Sequence, residues 1–502
     1  MTDILTLEDY RATAAELTLP SACHIDGSYH AGKGSEMIST NPATGDVLAR
    51  LAMATDEDVN LAVSKAREAF DKGVWSHAHP AERKEVLIKL AKLIKRHRHQ
   101  LAVIESLDSG KPIADCAEID IPETINTIIW HAEAIDKIYD DTAPVGNDAM
   151  AMIVREPIGV VACVLPWNFP LLMLAWKLGP ALAAGNSLIV KPAEQTSLSA
   201  LYLAQLAVEA GIPRGVLQVL VGDGPTTGQP IGLHPDIDMV SFTGSTETGK
   251  RFLGYSAQSN MKKITLECGG KNPAIVMDDA DNLEAVAAHI ANGAFWNLGQ
   301  NCSATSRLIV HKDIKDALLE KLIAHIKEWR QGDPLDPSHR LGVLIDDEHH
   351  GKVKSYIQRA EADGLAVLAQ SPFSTDTNIA PVIYNVKDSR SFLANDEVFG
   401  PVLAVITVQN FDEAIQIANR TDYGLAASVF TANIKQALRA AKAIRAGTVT
   451  VNCYGEGDAT TPFGGYKQSG FGGRDNGLAA HDQFTETKTI WLDLSDDAPD
   501  EM

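Results

Sequence analysis

The sequence predicts an α/β protein built on parallel sheets flanked by helices, and three observations carry that prediction. Continuous apolar runs alternate with helical stretches through residues 158–266, the alternation restarts after Glu267, and glycines stand at the strand-to-helix turns. An apolar run without polar alternation marks a strand buried on both faces, and helices join such strands.

Residues 158–165 (IGVVACVL) form the first such strand, ended by Pro166. The spacing predicts a helix over 171–184 closed by Gly185-Asn186, a strand at 187–190 and a helix over 197–210 ending at Gly211. Strands follow at 216–221, 237–242 and 262–266, with helices at 225–233 and 246–255 between them. After Glu267 come a strand at 274–277, a helix over 281–297, a strand at 307–311 and a helix over 313–329. A second α/β unit therefore spans about 267 to 472. Upstream, 56–107 reads as largely helical, with Pro80 near the start of its second helix. The end, 493–502, is acidic and polar and is expected to fray.

A chain of 502 residues corresponds to roughly three units. The net charge of −21 argues against nucleic acid and against an anionic membrane as partners. Such a field draws in small cations, although net charge alone is weak evidence for one. The six cysteines are far apart and form no CxxC pair, so neither a disulfide framework nor a zinc cluster is expected. Reduced thiols in a cytoplasmic protein are the simplest reading. The N-terminus lacks a basic and apolar leader, and the apolar stretch 158–176 is interrupted by Pro166, Asn168 and Pro170. No signal peptide and no membrane span are expected.

Four segments carry candidate chemistry. Cys302, in Gly299-Gln300-Asn301-Cys302-Ser303, follows an apolar helix in a small, polar loop. A reactive thiolate needs that access, yet an isolated cysteine is more often a small buried hydrophobe. Glu267 ends a strand-like run before two glycines, where α/β sheets place ligands. It reads as a general base, or equally as a carboxylate capping backbone N–H groups or paired with Lys271. Asn168, within Pro166-Trp167-Asn168-Phe169-Pro170, offers either an oxyanion donor or an Asx-type turn. The glycine loops 222–228 and 244–249 each open a helix where phosphate binds, although neither matches GxGxxG. Lys191 and Glu194 follow the strand at 187–190. Glu194 would accept from ribose hydroxyls and repel a 2′-phosphate, favouring NAD over NADP, or would simply charge a helix start.

Read in order, these loops resemble the aldehyde dehydrogenase superfamily across nearly the whole chain. PWNFP at 166–170, KPAEQTSLSA at 191–200, FTGSTETGK at 242–250 and LECGGKNP at 266–273 are the most specific segments. GQNC at 299–302, EVFGPV at 397–402 and PFGGYKQSG at 462–470 add to them.

The resemblance implies a fold with two Rossmann-like parallel-sheet domains and a small β extension for oligomerisation. It implies NAD-binding segments 1–136 and 156–266, a catalytic domain 267–472, and oligomerisation segments 137–155 and 473–502 that make homodimers or homotetramers. It implies Cys302 as nucleophile, Asn168 with the Cys302 N–H as oxyanion hole, and Glu267 as the base for the deacylating water. Pro166, Trp167, Lys191, Glu194, Gly224, Gly244, Ser245, Glu397 and Phe399 are the implied cofactor positions. The expected reaction is NAD-dependent oxidation of an aldehyde to a carboxylate through a thiohemiacetal and a thioester on the cysteine. Glu267 disfavours the branch that passes the thioester to coenzyme A.

Two departures stand out: Cys268, where leucine or alanine is commoner, and an extra glycine in 471–474 (FGGR). The segments 134–139, 452–458 and 484–491 are most similar to bacterial aminoaldehyde-type members. In this similarity Glu456 and Asp458 lie at the mouth of the substrate tunnel and are expected to attract a cationic tail, unless their loop is an ordinary solvated one. Trp176 and Phe463 are expected to line the tunnel. The alternative is an enzyme of broad specificity for aliphatic or aromatic aldehydes.

Overall fold

A computed structural model describes residues 4–373, 379–455 and 457–495. Two sheets organise it, each with its own core. The first holds eight strands, and its centre is five parallel strands in the spatial order Lys263–Glu267, Met239–Thr243, Val160–Val164, Ser187–Lys191 and Leu217–Val219. The expected runs become these strands because nearly all their side chains are buried between helices on both faces. Antiparallel strands at the edges, Gly470–Phe471 on one side and Cys23–Ile25 with Ser28–His30 on the other, were not anticipated.

The second sheet has seven strands. Its parallel part runs Val382–Asn385, Val402–Val408, Arg307–His311, Pro273–Val276, Ala426–Phe430 and Thr448–Val451. One hydrophobic core gathers chiefly residues 10–268 and the other residues 274–446. A third, antiparallel sheet joins Asp141–Ala143, Ala149–Pro157 and Thr485–Asp493 and leaves Ile490, Trp491 and Leu492 exposed. Among the described residues, no helix is long and apolar enough to cross a membrane.

The helices follow the sequence signals with instructive exceptions. Pro170–Ala184 and Leu198–Ala210 both end at a left-handed glycine, Gly185 and Gly211. The stretch expected as one helix over 281–297 stops at Phe295, because Asn297 and Leu298 adopt φ of 50° and 55°. The segment expected as a helix over 225–233 opens with a π turn at Gly224–Gly228. Beyond residue 107 the helix ends at Ser109 with a left-handed Gly110, and helical structure resumes from Ile113 to Ala134 through another π turn at Cys116–Asp120. The additional glycine near 472 has a steric reason: at Gly472 φ is +80°, and a Cβ would stand 2.3 Å from the Ile264 carbonyl. Of the tail expected to fray, 496–502 lie outside the described residues, as does Glu456.

Candidate active site

The carboxyl ends of the first sheet face the amino ends of the second across a cavity of about 590 Å³. Its wall brings together Cys302, Glu267, Asn168, Pro166, Trp167, Lys191, Glu194, Gly224, Gly244, Ser245, Glu397, Phe399, Trp176 and Phe463.

Cys302 owes its position to the helix break. After the left-handed Asn297 and Leu298, Gly299 passes so close to Gly400 that a Cβ would lie 2.3 Å from its carbonyl oxygen. Asn272 Nδ2 donates to the Cys302 carbonyl at 2.7 Å, and Asn301 Nδ2 donates to the Tyr454 hydroxyl at 2.8 Å. These bonds hold the loop while leaving the half-buried Cys302 on the cavity wall. Asn168 spends one amide hydrogen on the Gln300 carbonyl at 3.0 Å, so the second remains for a ligand oxygen.

Glu267 is buried at its strand end, and its Oε2 has no hydrogen-bond partner. Burial pushes its carboxyl well above the ordinary range. Asp475 pushes the same way, while Lys177, Arg474 and the Gly465 backbone oppose. Lys177 Nζ lies 3.2 Å from Asp475 Oδ2 and 3.1 Å from Ser241 Oγ, both buried. Sequence reasoning missed this pair, although a lysine inside the apolar helix 171–184 was a readable anomaly. Cys268 is buried against Gly249, and burial pushes its thiol up to about 12.

At the other end, Ser245 caps the helix Thr246–Gln258, accepting from the Thr248 N–H at 3.2 Å. Lys191 Nζ donates to the Pro192 carbonyl at 3.0 Å and lies 3.5 Å from Glu194 Oε2. Gly270 N–H donates to Glu397 Oε1 at 2.8 Å, and Gly269 carries no Cβ because one would meet Glu397 Oε2 at 1.9 Å. Phe399, with φ of 58°, stacks edge-on with Trp167 at 5.3 Å. His349, absent from the sequence reading, fixes that turn by a 2.7 Å hydrogen bond to the Phe399 carbonyl. A helix start, a buried lysine, a partly exposed acid beside it and a second acid in a glycine cradle fit a dinucleotide.

Beside Cys302 the wall is aromatic. Trp176 and Phe463 meet edge-on at 5.2 Å, and Phe169, Met173, Trp296 and Leu425 complete the cluster. Asp458 does not join it. Its carboxylate accepts from Thr460 N–H at 2.8 Å and Oγ1 at 2.5 Å, an exposed Asx turn, so the solvated-loop alternative describes it. Acidic groups missed in sequence stand instead behind Phe169 and Trp296. Glu105, Asp115 and Asp120 are buried around Lys111, whose Nζ lies 2.6 Å from Asp120 and 3.7 Å from the Phe169 ring. One oxygen of each acid lacks a hydrogen-bond partner. Burial raises the Asp115 carboxyl to about 6, against the pull of Lys111, Arg340 and the Trp296 indole, and raises Glu105 to about 8.

The family model described as "Aldehyde dehydrogenase family" matches residues 29–490. The chain is 57% identical over 496 residues to an aminoacetaldehyde dehydrogenase of Pseudomonas aeruginosa, covering 99% of this chain and all of that one. It superposes on the aldehyde dehydrogenase KauB from Pseudomonas aeruginosa with a TM-score of 0.96, at 45% identity, over 98% of this chain and all of that one. An indole-3-acetaldehyde dehydrogenase in complex with NAD+ gives the same TM-score, identity and coverage.

Proposed function

The chain belongs to the aldehyde dehydrogenase family, and from that premise we propose that the aldehyde it oxidises carries a cationic amine. Its reaction class is the NAD-dependent oxidation of an aldehyde to a carboxylate. In our reading Cys302 adds to the aldehyde carbon, and the free Asn168 amide hydrogen, with the Cys302 N–H, receives the developing oxyanion. Ser245, Lys191 and Glu194 would hold the pyrophosphate and adenosine ribose of the dinucleotide, Glu397 would hold the second ribose, and Trp167 and Phe399 would confine its ring. When bound, NAD would supply the hydride acceptor, and Cys302 would then carry the acyl group as a thioester. Glu267, once ionised, takes a proton from the water that hydrolyses that thioester.

The buried acidic group behind Phe169 and Trp296 carries the substrate reading. With Lys111 paired to Asp120 and Glu105 mostly protonated at neutral pH, Asp115 leaves an excess of negative charge beside an aromatic wall. Carboxylate and aromatic face together are what an ammonium ion prefers. Asp115, raised only to about 6, is ionised at neutral pH. The name of the aminoacetaldehyde relative supports the same substrate class. The test compares NADH formation with amine-bearing and neutral aldehydes of matched length. A tenfold or greater kcat/KM advantage for amines, about 1.4 kcal/mol, removed by Asp115→Asn, is expected. Equal turnover of both series would overturn the reading. The apolar lining and the indole-3-acetaldehyde relative favour the second reading, a broad aliphatic or aromatic specificity.

We infer also that 1–136 and 156–266 bind the dinucleotide, that 267–472 carry the nucleophile, and that 137–155 with 473–502 join subunits. Exposed Tyr139, Met150, Ile490 and Trp491 on the third sheet support a homodimer or homotetramer. Light scattering of the native protein tests this against a monomer. Among the described residues none of the six cysteines forms a disulfide, which supports a reducing, cytoplasmic setting.

A further inference from the structure

The two residues that flank Cys302 in sequence meet at one hydroxyl. Asn301 Nδ2 donates to the Tyr454 hydroxyl at 2.8 Å, and Ser303 Oγ shares a hydrogen bond with the same oxygen at 3.1 Å. Asn301 Oδ1 in turn accepts the Ser303 N–H at 3.1 Å. Residues 301, 303 and 454 thus form a closed cycle of hydrogen bonds, and the main chain of Cys302 is the strap across it. Asn272, just before Pro273–Val276, holds the Cys302 carbonyl independently.

The hydroxyl is presented by a braced turn, not by a swinging side chain. Asn452, with φ of 57°, follows the strand Thr448–Val451. Its side chain accepts the Thr431 N–H at 3.0 Å and donates to the Thr431 carbonyl at 3.1 Å. Thr450 Oγ1 donates to the Cys453 carbonyl at 2.8 Å, and the Tyr454 N–H donates to His289 Nδ1 at 3.4 Å. The Tyr454 phenyl group lies against the helix Leu283–Phe295 where residue 293 is a glycine, since a Cβ there would stand 3.0 Å from Tyr454 Cδ2. Turn and helix are both shaped so that one phenol oxygen reaches the Cys302 loop. Among the described residues the cavity wall does not include Tyr454. Its influence therefore passes through the loop and not through contact with an aldehyde.

We propose that Tyr454 is a positioning residue for aldehyde oxidation: by bridging Asn301 and Ser303, its hydroxyl holds the Cys302 N–H and Sγ in one orientation toward the cavity. This rests on the reading of Cys302 as the nucleophile. A reacting group displaced by about 1 Å loses about 10² in rate, so a support of this kind acts on turnover more than on binding.

Tyr454→Phe removes the oxygen and keeps the phenyl group against Gly293. It is expected to lower kcat for NADH formation by about tenfold or more. Affinity for NAD, melting temperature and the number of Cys302 thiols alkylated per chain are expected to stay as in the wild type. Asn301→Ala breaks the same cycle, so the double variant should be no slower than the slower single variant. Unchanged kcat in Tyr454→Phe overturns the proposal. So does a fall in kcat matched by loss of NAD affinity or of alkylatable Cys302, or a double variant in which the two effects multiply. Inactive Cys302→Ala beside a fully active Tyr454→Phe would sink this proposal alone, whereas full activity in Cys302→Ala would sink the function on which it rests.

Discussion

The side-chain amide of Asn168 donates to the main-chain carbonyl of Gln300 at 3.0 Å, two residues before Cys302. One amide group thereby fixes the Cys302 loop and keeps a hydrogen for the oxyanion proposed to form there. Asn168→Ala is expected to lower kcat by about 10²–10³, the usual value of one oxyanion donor, with a much smaller change in KM. Steady-state kinetics with saturating NAD measures it. Unchanged kcat would remove Asn168 from the chemistry.

Burial, with Asp475 adding to it, holds the Glu267 carboxyl well above the ordinary range, so its ionised fraction grows as pH rises above that range. Where deacylation limits the rate, kcat should climb with pH beyond the ordinary carboxylate range. Lys177 opposes the shift, so Lys177→Met is expected to move the rise to still higher pH. Glu267→Gln should leave a low rate without that rise. A pH–kcat profile for the three proteins decides the matter.

Gly269 exists for the carboxylate of Glu397. A methyl group there would lie 1.9 Å from Oε2, far inside contact distance. Gly269→Ala must push Glu397 off the Gly270 N–H. It is expected to raise KM for NAD tenfold or more while thermal stability changes little. Isothermal titration with NAD gives the answer directly.

His131 and His481 face each other, Nδ1 to Nε2, at 2.9 Å in a buried contact. Burial depresses both, His481 to about 4 and His131 well below its ordinary value. The folded protein therefore refuses protons that the unfolded chain accepts below about pH 6.5. Stability from this pair is present above that pH and lost as pH falls toward 4. Asn substitution at both positions should flatten melting temperature over that window.

Lys111 and Asp120 form a buried ion pair at 2.6 Å, with side chains 1% and 0% exposed. Removing one partner strands the other charge. Asp120→Ala is expected to cost about 3–5 kcal/mol, read as a drop in denaturation midpoint. Asp115→Asn, which leaves that pair intact, should cost much less.

The parallel strands were legible because burial on both faces writes an unbroken apolar run, as IGVVACVL does. The loops that carry the chemistry were legible through their unusual residue sequences. The end of the helix at Phe295 was not, since left-handed Asn297 and Leu298 leave no local signature and the close approach to Gly400 is a tertiary fact. In the sequence nothing separates Glu105, Asp115 and Asp120 from the solvated charges of a helix. Only the π turn at Cys116–Asp120 and the packing of Phe169 over Lys111 turn them inward. Asp458 lies in a loop that satisfies its carboxylate locally, which accords with the solvated reading left open beside the attraction of a cationic tail.

Asn168 and Glu267 stand at strand ends of the first sheet, whereas Cys302 stands in the loop before Arg307–His311 of the second and packs on a small apolar cluster drawn from both sides, so their grouping around the cavity exists only while the two sheets keep their mutual alignment. The seam between them is therefore where warming is expected to act first. On warming, turnover should fade while circular dichroism still reports both sheets intact, and ligands that bridge the seam should protect turnover more than they raise the melting point.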